Sequence, residues 1–127
     1  MMSNDFFSQW LGIVIIEQRE GYCLLGLTIK KEMLNGFGIA HGGITYSLAD
    51  SALAFASNSK GRKSVSIETS IAHIVSLKEF DEVVAEAVCE TETEKLGHYT
   101  VKVSLKKDPA KIVALFKGIV YKTSKDW

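Results

Sequence analysis

Between Glu32 and Lys60 the sequence holds one formally charged side chain, Asp50, set among Ile44, Leu48, Ala49, Ala52, Leu53 and Phe55. A lone carboxylate in so apolar a stretch is costly when buried without a partner. It therefore faces water or a partner, or the protein uses it. Upstream, His41 is followed by the pair Gly42 and Gly43. Such a pair suits a helix N-terminus left bare for a ligand, since the first N–H groups of a helix have no internal acceptor.

These residues need elements to hold them. From Gly42 to about Ser59, large apolar residues recur at 44, 48, 52 and 55, spaced four, four and three. That is a helical period. The other faces carry small residues such as Ala49, Ser51, Ala54 and Ala56, which predicts a helix surrounded by protein. Before it, Leu11 to Glu17 and Tyr22 to Lys30 read as the arms of a hairpin. After Gly61 the pattern is strand to the end: an alternating run from Val65 to Val75, then 81–92, a third around Tyr99, Val101, Val103 and Leu105, and a last from 112 to 123. Turns are expected at 95–97 and at "KDPAK" (107–111). Phe6, Phe7 and Trp10 suggest a short helix packed on the core. The prediction is one α+β domain over residues 1–127, an antiparallel curved sheet wrapped around one long central helix.

Composition removes several classes. Hydrophobic residues make up 46% and charged residues 24%, as in an ordinary globular protein. The formal net charge is zero, so no global field draws in nucleic acid or an anionic membrane. The apolar run Leu11–Ile16 is too short for a membrane span or an export signal. A cytoplasmic protein with Cys23 and Cys89 as reduced, packed thiols is expected. His41, His73 and His98 are scattered without metal-ligand spacing, so neither a metal nor a cofactor is expected.

The stretch "LNGFGIAHGGITYSLADSALAFASN" (34–58) gives the pattern N-x5-HGG with an Asp eight residues beyond the first Gly. With a hairpin before it and four strands after, it resembles the hotdog-fold acyl-CoA thioesterases of the phenylacetate-degradation type, in the 4-hydroxybenzoyl-CoA thioesterase superfamily. The resemblance covers nearly the whole chain. It implies Asp50 as the catalytic carboxylate, Gly42 as the backbone donor to the thioester carbonyl, and Asn35 as a group that helps polarise it. It implies Ser66 as a residue positioning water, with His41 and Gly43 at the substrate. One departure follows the strand at 65–75. Many relatives carry Arg-Pro or Ser-Pro before a Gly-Asp turn, whereas this chain reads "HIVSLKEFDEV" (73–83), which bears on the rim of the acyl pocket and not on the catalytic group.

These parts suit thioester hydrolysis. A thiol with a pKa of about 8.5 leaves without acid help, so one carboxylate suffices, as general base or as nucleophile. Gly42 and Asp50 stand eight residues apart, about 12 Å along one helix. If both act on one carbon they come from different chains, which makes a homodimer a requirement; relatives often pair dimers into tetramers. Lys60, Arg62 and Lys63 either hold the phosphates of coenzyme A or merely complement the helix C-terminus. His73 and His98 read as structural or solvated. Two rivals stand beside this reading: a non-catalytic acyl-CoA-binding hotdog module, and a hotdog dehydratase or hydratase. The first has no need of Asp50. The second typically uses a His with a carboxylate on the central helix, whereas here His41 precedes the helix and no second acid appears within it.

Overall fold

Residues 1–127 are described by a computed structural model. A short helix α1 (Phe6–Leu11) leads into the hairpin β1 (Val14–Arg19) and β2 (Tyr22–Thr28). The central helix α2 (Gly42–Ser57) follows, then β3 (Arg62–His73), β4 (Glu82–Glu92), β5 (Leu96–Leu105) and β6 (Asp108–Asp126). The strands form one antiparallel sheet in the order β1-β2-β4-β5-β6-β3. β1 and β3 are its free edges.

The sheet curves around α2. Leu48, Ala49, Ala52, Leu53, Phe55 and Ala56 of the helix are fully buried, together with Leu25, Ala85, Val101, Val103, Phe116 and Val120 of the strands. Each large aliphatic side chain so buried contributes roughly 1.5–3 kcal/mol. Small residues set how closely helix and sheet approach. A methyl group at Gly118 on β6 would stand 2.5 Å from Leu53 Cδ2, so a side chain there would force the buried Leu53 to shift. Tyr46 on α2 adds a hydrogen bond of 2.6 Å to Thr69 Oγ1 on β3. Asn58, at the C-cap of α2, bonds the carbonyls of Ala54 and Ser64 and accepts from the Ser64 N–H. It thereby fixes the start of β3 against the helix end.

Two expectations are corrected. Phe6, Phe7 and Trp10 do form a short helix, but their rings face outward, with Trp10 76% exposed. Ser8 and Leu11 are the residues of α1 that pack inward. The turn before the last strand lies at Lys106–Lys107, and Pro109 is within β6. β3 pairs with β6 only from Ala114 onward, so at Pro109 the sheet has no neighbour on that side to miss an N–H. Cys23 and Cys89 are free, and burial pushes the Cys23 thiol up to about 12. No helix is long and apolar enough to cross a membrane.

Candidate active site

The loop before α2 is built to present its tip. Asn35 opens a tight turn: its N–H donates to the Ile39 carbonyl, and its Oδ1 accepts from the Phe37 N–H at 2.9 Å. Gly38 closes the turn at φ +78°, a conformation that favours glycine. With Oδ1 committed to the turn, the Asn35 amide keeps its Nδ2 protons free. The N–H groups of Ala40 and His41 bond the carbonyls of Leu77 and Met33, which anchors the chain just before the helix.

His41 is the N-cap of α2. Its Nδ1 accepts from the Gly43 N–H at 2.9 Å, so this imidazole caps the helix and uses one of the two glycine donors. The Gly42 N–H has no acceptor. It lies at the positive end of the helix dipole, in a cavity of about 270 Å³ lined by Asn35, Thr45, His73 and Leu77 among others. The expected oxyanion donor, Gly42, and its expected helper, Asn35, therefore share one chamber.

Asp50 is elsewhere. It is half-buried two turns further along α2, and its carboxylate has no hydrogen-bond partner in the chain. Burial pushes its pKa above the ordinary 3.8, and the charge of Asp5 pushes in the same direction. It lines a second cavity, of about 240 Å³, with Leu53, Ser57, Asn58, Ser64 and Ser66. Ser66 lines the same chamber as Asp50, while no residue lines both chambers.

β3 connects the two. Ser66 near its start faces the Asp50 chamber and His73 at its end faces the Gly42 chamber. Seven residues of strand separate them by roughly 23 Å. The outer edge of β3 is unpaired, and Val65 and Ile67 on it are 56% and 58% exposed.

Lys60, Arg62 and Lys63 follow the far end of α2. Lys60 Nζ lies 3.0 Å from Glu92 Oε1. Burial pulls its pKa down, but the hydrogen bond to Glu92 and the nearby Cys89, Glu92 and Glu20 outweigh this and the net direction is up. The Arg62 guanidinium donates to the carbonyls of Lys122, Thr123 and Glu94. Lys63 Nζ lies 5.1 Å over the Trp127 ring. Sequence reasoning set His73 aside, because nothing in its local pattern shows that the strand end folds back onto Gly42.

A curved antiparallel sheet closed around one central helix, with a bare helix tip at one end of the edge strand and an unpaired carboxylate at the other, defines a hotdog-fold hydrolase. Residues 37–111 match the family described as the Thioesterase superfamily. The chain is 35% identical over 118 residues to the acyl-coenzyme A thioesterase PaaI of Escherichia coli, covering 93% of this chain and 83% of that one. The solved structure of E. coli PaaI, from the phenylacetic acid degradation operon, superposes with a TM-score of 0.95 at 32% identity, over 99% of this chain and 90% of that one. A mutant structure of the phenylacetic acid degradation protein PaaI of Thermus thermophilus gives 0.89 at 32%, over 94% and 100%. The chain belongs to the thioesterase superfamily: it is a hotdog-fold enzyme of the PaaI type, a thioester hydrolase acting on acyl-CoA thioesters as a class.

Proposed function

We propose that the protein hydrolyses acyl- or aryl-CoA thioesters in a site shared by two copies of the chain. One protomer supplies the Gly42 N–H and the Asn35 amide to the carbonyl oxygen. The other supplies Asp50, with Ser66 holding the water. The observation that carries this reading is that Gly42 and Asp50 open into different cavities at opposite ends of a strand whose outer edge is free. If two β3 edges run antiparallel about a twofold axis, the end of one faces the start of the other. Each Gly42 chamber then meets a partner's Asp50 chamber. A twelve-residue edge strand carrying Val65 and Ile67 also calls for cover, because open edges invite pairing.

In that site the bare N–H stabilises charge on the carbonyl oxygen, an effect of about 3–4 kcal/mol where such donors have been removed. Asp50 removes a proton from water, or attacks directly; the thiolate leaves unaided. Of the three cations that follow α2, Lys63 meets the phosphates of coenzyme A, the thiol named for the E. coli relative, since Lys60 is paired with Glu92 and Arg62 with backbone carbonyls. Dimers pair further into tetramers, and the reaction takes place in the cytoplasm without a metal or added cofactor.

Complementation tests the shared site. Asp50→Ala chains and Gly42→Val chains are each inactive alone, and each mixed dimer regains one intact site, half the activity of a wild-type dimer. Mixed dimers that form and stay inactive overturn it. Thiol release from an acyl-CoA panel separates hydrolysis from a binding module, which would bind the panel and release nothing.

A further inference from the structure

His73, the last residue of β3, presents an imidazole with no hydrogen-bond partner in the protein. A methyl group built on Gly42 would meet its Nε2 at 3.3 Å and its Cε1 at 3.4 Å. The nitrogen-bearing edge of the ring therefore lies against the Gly42 α-carbon, beside its unaccepted N–H. The ring lines the chamber that holds Asn35, Gly42 and Thr45. His41 of the HGG motif accepts from the Gly43 N–H through Nδ1 and, unlike His73, does not line that chamber.

We propose that His73 is a further catalytic residue. Its Nε2–H donates a hydrogen bond to the thioester carbonyl oxygen, beside the Gly42 N–H and the Asn35 amide. This rests on the Gly42 chamber receiving the carbonyl, as argued above. The reason is geometric. An oxygen within hydrogen-bond reach of the Gly42 N–H comes within a few ångströms of an imidazole edge packed on the same residue. Neither histidine nor any other polar side chain is needed there for packing, since a plain aromatic ring would cover Gly42 equally well. A donor aimed where negative charge develops strengthens as the tetrahedral intermediate forms, so its effect falls on turnover rather than on ground-state binding.

Three variants decide it: His73→Phe, which keeps a ring and loses the donor; His73→Gln, which keeps a donor; and Asp50→Asn as the reference for the shared site. Thiol release is followed with the member of the acyl-CoA panel that wild type hydrolyses fastest. His73→Phe is expected to lower kcat about 10- to 100-fold with KM within about threefold, and His73→Gln to recover part of kcat. A kcat for His73→Phe within twofold of wild type, or a loss confined to KM, overturns the proposal. Gel filtration and thermal melts check that each variant keeps its fold and assembly. Should His73→Phe fail to fold, His73→Ala is read by the same criterion. The two ideas fail separately. An inactive Asp50→Asn beside an active His73→Phe removes only the role of His73. A fully active Asp50→Asn removes the shared site, and His73 still stands or falls on its own kcat.

Discussion

The hydroxyl of Ser8 on α1 meets the hydroxyl of Ser51 on α2 at 2.8 Å in the protein interior. Ser8 Oγ donates to Asp5 Oδ2 at 2.8 Å, and the Ser8 N–H donates to Asp5 Oδ1 at 3.0 Å. With its one proton committed to Asp5, Ser8 must accept from Ser51. The relay from Ser51 through Ser8 to Asp5 fixes the N-terminal helix to α2 beside Asp50. Asp50 is thus raised by burial first and by the Asp5 charge second.

In the proposed mechanism that arrangement sets the acid limb. As base or nucleophile Asp50 has to be ionised, so kcat/KM should fall as pH drops through its raised pKa. Asp5→Asn removes the second cause while leaving a residue that still caps α1. The acid limb should move to lower pH, read from kcat/KM between pH 4 and 8. An unmoved limb means that the charge of Asp5 is not felt at Asp50.

The same carboxylate opposes folding at neutral pH. Its folded-state pKa lies above the unfolded one, so the folded chain binds that proton more tightly. The stability it contributes is full below the unfolded value and is lost as pH rises through the folded one. Asp50→Asn should therefore melt at a higher temperature than wild type at pH 7, with the gap closing below about pH 4. Its turnover should fall at least ~100-fold, as for loss of a general base. A variant that is less stable at pH 7 would show that the ionised group is better solvated than its burial suggests.

Phe80 is the one residue other than glycine with positive φ, at 75°, and it is 77% exposed. The turn is held by Lys78 N–H bonding Asp81 Oδ2 at 2.8 Å and by Phe80 N–H bonding the Ile29 carbonyl at 2.8 Å. A β-carbon in this conformation costs roughly 1–2 kcal/mol, partly offset by the chain entropy that glycine loses on folding. Phe80→Gly should raise stability by about 0.5–1 kcal/mol in denaturant melts. No gain would mean that the Phe80 ring makes a compensating contact in the assembled protein.

Phe80 also marks where the sequence was legible. The stretch "HIVSLKEFDEV" stood out in the sequence, and its Ile74, Val75, Ser76 and Leu77 line the Gly42 chamber. Helix α2 was legible because its apolar period repeats over three turns, and the strands because apolar residues alternate. Asp50 and Gly42 were legible as exceptions to the composition around them. What escaped depends on distant pairing. The glycine donor taken by His41, the packing of His73 on Gly42 and the outward aromatics of α1 follow from how the chain returns on itself. No local spacing records that.

Arg62 and Lys63 are adjacent in sequence and differ in that same respect. Arg62 is tied into the fold by three carbonyls, at 3.0 Å from Lys122 and Thr123 and 2.8 Å from Glu94. Arg62→Ala leaves those acceptors without their charged donor and should cost about 1–3 kcal/mol of stability. Lys63 is exposed and contacts only the face of Trp127 at 5.1 Å, a surface cation–π pair of about 0.5–1 kcal/mol. It keeps its charge available for a phosphate. Lys63→Ala should raise KM for acyl-CoA several-fold, with kcat and melting temperature nearly unchanged. Because exposed charges are screened by salt, the wild-type KM should rise between about 50 and 500 mM salt and the variant's much less. An unchanged KM in Lys63→Ala, with a raised one in Lys60→Ala, would move the phosphate contact to the cation now paired with Glu92.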